Sequence, residues 1–162
     1  MPYNADKWTT STGEDRYRRS VYTFWRRTSP YPSLITFDAT SRELCTVRRV
    51  RTNTPLQALT LLNDPALFEA AGALAKRMIT YTAEPAARGR AAGADVRARL
   101  AFGIKLVLSR EAKPAELDRL QSLYERELAH YRTRSAAEPA ELQAWTMVAN
   151  VLLNLDEAVT KE

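Results

Sequence analysis

Between Asp38 and Arg51 the chain places two carboxylates, Asp38 and Glu43, and four arginines, Arg42, Arg48, Arg49 and Arg51, within 14 residues. A guanidinium presents a planar fork of donors that matches paired oxygens, so arginines at this density can hold a carboxylate, a phosphate or a sulfate. The same six side chains can instead pair with one another and pin an irregular stretch of chain, whose backbone polar groups need partners. The internal ion-pair network is the simpler reading and the anion site the sharper one. Paired carboxylates could also do acid–base work if the fold brings Asp38 to Glu43, or Asp64 to Asp156 or Glu157. Asp64, directly before Pro65, is more simply a helix cap. No residue is assigned a catalytic role, because nothing here has the specificity of a phosphate-binding glycine loop or a metal-ligand array.

The remaining reactive side chains are few. Cys45 is the single cysteine and His130 the single histidine. An internal disulfide, a cysteine-based metal site and the C-x-x-C-H attachment of a haem are therefore absent from this chain, and no cofactor is expected. Cys45 reads as a small buried side chain rather than a nucleophile. His130 lies in an ordinary helical pattern, so no Ser–His–Asp arrangement stands out. The net charge is +5, yet Arg16 to Arg51 alone hold nine arginines against Asp38 and Glu43, or 9 − 2 = +7, which leaves −2 for the rest. Arginines interleaved with Tyr17, Tyr22, Phe24, Trp25 and Tyr31 could track phosphates and stack bases. Two features weigh against nucleic acid: Phe24 and Trp25 fit a core face, and no recognised nucleic-acid motif is present.

Several elements must position these groups. Ser11 and Glu14 have capping-box spacing, and Tyr17, Val21, Phe24 and Trp25 follow at helical intervals, which predicts an amphipathic helix over 14–27. Residues 1–13 form an extension before it. Residues 28–53, with Pro30 and Pro32 one residue apart, read as a long irregular arginine-rich loop, and Cys45 to Val50 as at most a strand without a partner. Thr54-Pro55-Leu56-Gln57 is a second capping box, opening a helix that turns Leu56, Leu59 and Leu62 inward. Asp64-Pro65 opens another, with Leu67, Phe68, Ala71, Leu74, Ala75 and Met78 as its apolar stripe.

Pro85, Gly89 and Gly93 mark 82–94 as a flexible connector. A helix over 95–109 follows, with Val96, Leu100, Ile104, Val107 and Leu108 facing in. Lys113-Pro114 opens the next, carrying Leu117, Leu120, Tyr124, Leu128 and Tyr131 at near-heptad spacing. Glu138-Pro139 opens the last, carrying Leu142, Trp145, Ala149, Leu152 and Val159, and these two stripes need each other to bury. The fold class is all-α: a helical bundle of about five to six helices plus the arginine-rich loop. At 162 residues the chain is one domain, or a C-terminal fragment of a larger one. The apolar run from Met147 to Leu155 is broken by Asn150 and Asn154, far short of the roughly 18 residues that cross a bilayer. The first residues hold no apolar signal-peptide region.

Three stretches together resemble a known family: Gly13 to Arg27 (GEDRYRRSVYTFWRR), Phe37-Asp38 through Arg51-Thr52-Asn53-Thr54-Pro55-Leu56-Gln57 to Asn63-Asp64-Pro65, and Asn154-Leu155-Asp156-Glu157. The chain is similar to the C-terminal part of the planctomycete-specific domain one family, a domain of unknown function, and the similarity covers nearly all of it. The resemblance implies a large exported protein with an extracytoplasmic setting. It also implies a second uncharacterised domain upstream and, in many members, a cytochrome-c-like haem domain; any haem role would belong to those other parts. It carries no established catalytic residue.

Two functions follow as expectations. The leading one is a non-catalytic helical module of a larger exported protein, its arginine-rich loop making internal or interdomain ion pairs with upstream domains. The alternative is part of an enzyme site for anionic or carbohydrate material, completed by residues elsewhere. Nucleic-acid binding through the basic segment stands third. The first two differ in whether Arg48, Arg49 and Asp38 pair internally or converge on an open cleft.

Overall fold

A computed structural model of the chain describes residues 8–9, 11–26, 29–40, 45–48, 50, 52–81, 92–134 and 139–159. Helix accounts for 71% of them and no strand occurs among them, which makes the protein all-α. The α-helices are α1 (Pro32–Thr36), α2 (Pro55–Asn63), α3 (Pro65–Thr80), α4 (Ala92–Leu108), α5 (Pro114–Arg132), α6 (Ala140–Leu153) and α7 (Asp156–Val159). The chain divides into two compact units, residues 1–61 and 62–162.

The second unit is the helical bundle, and every buried apolar side chain among the described residues lies in it, between Ala71 and Leu152. Its most extensive interface joins α3 to α6, where Ala71 and Ala75 on one helix and Ala144 and Ala149 on the other are all fully buried. Alanine costs no side-chain entropy in a helix and lets two backbones approach closely. Trp145 of α6 is also fully buried, its ring 4.5 Å from that of Tyr124 of α5. The start of α5 meets the residues after α6 through Arg110, Glu116 and Glu157. With their middles also in contact, α5 and α6 run antiparallel, as their paired stripes require. At Gly103 of α4 an added Cβ would sit 2.6 Å from Met78 Cε and 3.1 Å from Leu152 Cδ1, so any side chain there would have to displace Met78 where α3, α4 and α6 converge. Asp64 caps α3 as its sequence position implies: Oδ1 accepts from the amides of Ala66 at 2.8 Å and Leu67 at 3.2 Å.

Several expectations are corrected in the first unit. The helix over 14–27 does not form; two short 3-10 turns, Gly13–Tyr17 and Ser20–Tyr22, stand in its place, with Arg18 and Arg19 extended between and beside them. Gly13 has φ 65° and Ser11 does not act as the cap. Valine, threonine and aromatic residues lose side-chain freedom in a helix, and a helix of this length is marginal without a core to pack on. None is supplied: Tyr17, Val21 and Phe24 are exposed and Trp25 is half-buried. The expected irregular loop contains α1, opened by Pro32 at its first position.

Leu56, Leu59 and Leu62 face solvent rather than a core, and the buried residue of α2 is Gln57. Cys45 is exposed, not buried. In the second unit Phe68 falls outside the buried stripe of α3. Val159 is exposed on α7, because the last helix breaks at Asn154, whose amide side chain folds back onto Asn150 O at 2.8 Å. The expected connector over 82–94 lies largely outside the described residues.

Candidate functional site

The arginine-rich loop starts and ends at one polar clamp inside the first unit. At the end of α1 the backbone reaches Phe37 and then Asp38, which takes φ 56°. Aspartate is one of the few residues that tolerate this left-handed region. The turn aims the Asp38 carboxylate at Thr52, 14 residues further on. Thr52 donates its amide to Asp38 Oδ2 at 2.7 Å and its hydroxyl to Oδ1 and Oδ2 at 2.9 and 2.8 Å. Gln57 locks the arrangement. Its Nε2 donates to Thr36 O at 2.8 Å, to Thr52 Oγ1 at 3.0 Å and to Asp38 Oδ2 at 3.2 Å. Its Oε1 accepts the Thr54 amide at 3.0 Å, and the Gln57 amide donates back to Thr54 Oγ1 at 3.3 Å. The expected capping box at the start of α2 is thus present, and its glutamine is shared with the loop. Asp38 and Thr52, 14 residues apart, are thus held together at the base of the segment between them.

Among the six expected site residues the structure describes Asp38 and Arg48. Arg42, Glu43, Arg49 and Arg51 lie outside the described residues. Asp38 sits in the clamp, where its carboxylate accepts from Thr52 and Gln57. Arg48 is exposed beside Val47 and near Val50, both exposed as well, and it makes no ion pair among the described residues. The expectation that Asp38 and Arg48 come together is therefore not met in the described contacts. Thr52 was not singled out in the sequence and Gln57 only as the residue of the cap; nothing local signals that Gln57 Nε2 also reaches back to Thr36 and Asp38.

The first unit also holds a cleft of about 800 Å³ between the two 3-10 turns and α1. Trp8, Tyr22, Phe24, Tyr31 and Phe37 line it together with Arg16, Arg18, Asp15 and the hydroxyls of Ser11, Ser20, Thr23 and Ser33. Its indole is well held: Trp8 Nε1 donates to Ser29 O at 3.0 Å, Tyr31 meets the ring edge-on at 5.4 Å, and the Arg26 guanidinium lies 4.7 Å from its centroid. The clamp fixes one wall, since Thr36 and Asp38 flank Phe37. Phe24 alone among these aromatics was read in the sequence as part of a core face; without a helix it lines the cleft instead.

The second unit carries the best-satisfied charge cluster. Arg110 binds Glu116 in bidentate fashion at 2.7 and 2.9 Å, binds Glu157 at 2.7 and 3.1 Å, and donates to Glu111 O at 3.1 Å. Glu116 Oε2 also accepts the Lys113 amide at 2.9 Å. The hydrogen bond from Arg110 and the Lys113 amide hold the Glu116 carboxyl at about 2, well below the usual carboxylate range, and Arg110 lowers Glu157 likewise. The guanidinium itself is held further into its charged form by the two carboxylates. With all five N–H donors used, this arginine fastens α7 to the turn before α5 and has nothing left for a ligand. Among the described residues no group of three or more His, Cys, Asp or Glu side chains could hold a metal ion. No helix among them is long and apolar enough to cross a membrane.

The family model PSD1, described as "Protein of unknown function (DUF1553)", matches residues 1–124, which include the clamp, the loop and the cleft. The chain belongs to the PSD1 family. No curated protein and no solved structure matches it. The PSD1 match ends within α5, so it spans the whole first unit and the part of the bundle that starts with α3.

Proposed function

We propose that this chain is a non-catalytic, C-terminal module of a larger exported planctomycete protein, and that its arginine-rich loop makes ion pairs with an upstream domain of the same protein. The observation that carries this reading is the clamp. Asp38, Thr52 and Gln57 join the two ends of the segment, and among its described residues Arg48 is exposed and makes no ion pair with them. The outward leucines of α2 support the same reading, because Leu56, Leu59 and Leu62 recur every three residues on one helix and contiguous exposed apolar surface marks a contact with something else. A guanidinium is more weakly hydrated than an ammonium, so it loses less on desolvation at such a contact, and it holds a carboxylate in bidentate geometry.

The test is a thermal-shift series on Arg48→Ala and Arg49→Ala, each in this chain and in the full-length protein. In the chain alone, Arg48→Ala is expected to leave the melting temperature unchanged within error, and sulfate or phosphate to give no saturable stabilisation. In the full-length protein both replacements are expected to lower the temperature at which the module separates from its neighbour. Saturable stabilisation of the chain alone by sulfate, abolished in the variants, would replace this reading with an anion site.

A further inference from the structure

We infer that the cleft in the first unit binds a short acidic saccharide, a sugar chain bearing uronate carboxylates or sulfate esters. This goes beyond the docking role of the loop and uses different residues. At about 800 Å³ the cleft lies within the range of about 300–1,000 Å³ that small-molecule sites occupy, room for a few pyranose rings. Its chemistry is mixed in a particular way. Tyr22 and Phe24 line it while 66% and 71% exposed, so two aromatic faces stand uncovered where a buried core would have hidden them. The apolar C–H face of a pyranose covers such a ring while its hydroxyls stay in reach of polar neighbours. Those neighbours are Ser20, Thr23 and Ser33, which can both donate and accept, and Asp15, which accepts only.

The charge pattern selects an acidic sugar over a neutral one. Arg16 and Arg18 line the same wall, and Arg18 pairs with Asp15. Both side chains of that pair are more than half exposed, at 57% and 65%, and an ion pair in water contributes little. Arg18 can therefore exchange Asp15 for a ligand carboxylate or sulfate in bidentate geometry, and Asp15 is then released to accept sugar hydroxyls. The local excess of arginine over 16–51 adds a long-range attraction for an anion. A single-stranded nucleic acid would also find arginines and aromatic faces here. Against it stands the lining itself, where the hydroxyls of Ser20, Thr23 and Ser33 and the carboxylate of Asp15 outnumber the two arginines, whereas strand binders track phosphates along a groove lined by cations.

Isothermal titration of the full chain decides the matter. The probes are a galacturonate tetramer, a sulfated chondroitin tetrasaccharide, a neutral maltotetraose and an oligo(dT) strand. One-to-one saturable binding of at least one acidic sugar is expected, with maltotetraose and oligo(dT) each at least tenfold weaker. Phe24→Ala and Arg18→Ala are each expected to weaken the acidic sugar at least tenfold with unchanged circular dichroism, and Arg126→Ala, on the surface of α5, to stay within twofold of wild type. No binding of either acidic sugar overturns the inference. So does binding that Phe24→Ala and Arg18→Ala leave unaltered, and tighter binding of oligo(dT) replaces it with a nucleic-acid site.

Discussion

Asp38 combines a left-handed backbone with a carboxylate that accepts three hydrogen bonds from Thr52 and one from Gln57. The two properties can be separated by substitution. Asp38→Asn keeps a residue that tolerates positive φ and retains one carbonyl acceptor, whereas Asp38→Ala loses both and leaves the Thr52 and Gln57 donors without it. Thr52 is exposed and its donors can turn to water, so the loss is the net worth of hydrogen bonds to a charged acceptor, about 1–2 kcal/mol, and the Ala variant should open the loop base roughly five- to thirtyfold more often. Limited trypsin digestion reads this directly: cleavage after Arg48 is expected to accelerate strongly in Asp38→Ala and only modestly in Asp38→Asn. Equal cleavage of all three proteins would show that the clamp does not hold the loop.

A second prediction at the same scale concerns acid. The folded state holds Glu116 at about 2 against 4.5 for a free glutamate, through Arg110 and the Lys113 amide. A depressed carboxyl contributes stability that is fully present above the unfolded value and is lost as pH falls from about 4.5 towards 2. Wild type should therefore lose melting temperature across that window, and Glu116→Gln should show a flatter acid limb from a lower plateau. An identical acid limb in the variant would remove the Arg110 cluster from the account.

Elements explain what was and was not legible in the sequence. The bundle was legible because α3, α4, α5 and α6 each carry apolar residues at helical spacing and three of the four lie just after a proline or open on one. Their stripes are mutually consistent, so propensity and packing point the same way. The segment over 14–27 had the same spacing on paper, but its β-branched and aromatic residues disfavour helix, and among the described residues of the first unit no apolar side chain is buried for Phe24 to pack on. Periodicity predicts a face; it does not supply the partner that makes the face worth forming. In α2 the pattern misled in the opposite sense, since Gln57 is buried by the clamp while the leucines turn out. The clamp joins residues 36–38 to 52–57, and no local signal reports a contact over that separation.

The tightest junction of elements gives a prediction of its own. Gly103→Val pushes a branched side chain into Met78 and Leu152 and should destabilise by about 1–3 kcal/mol. Adding Met78→Ala opens the space that Val needs, so the double variant should be more stable than the sum of the two single losses in urea denaturation. Strict additivity would place the collision elsewhere.

For the whole molecule, two units with different chemistry share one chain. Residues 62–162 are held by a dry core that includes Trp145, Met78, Leu100, Ile104 and Leu152. The described part of residues 1–61 is held by hydrogen bonds around Asp38 and Gln57 and by the Trp8 contacts, with Leu56, Leu59 and Phe24 outward. A cavity in the bundle should therefore be costly while an outward change in the first unit is nearly silent. Leu152→Ala is expected to cost about 2–5 kcal/mol, and Leu59→Ala to stay within about 0.5 kcal/mol of wild type, by urea denaturation of the chain.

An outward-facing first unit is what a module built to dock would carry, and hydrogen–deuterium exchange of the 39–51 peptide, compared between the isolated chain and the full-length protein, addresses that docking without perturbing it. The account predicts slower exchange of that peptide, by tenfold or more, in the full-length protein, with the α3 and α6 peptides unchanged. Identical exchange of the loop in both proteins would contradict it.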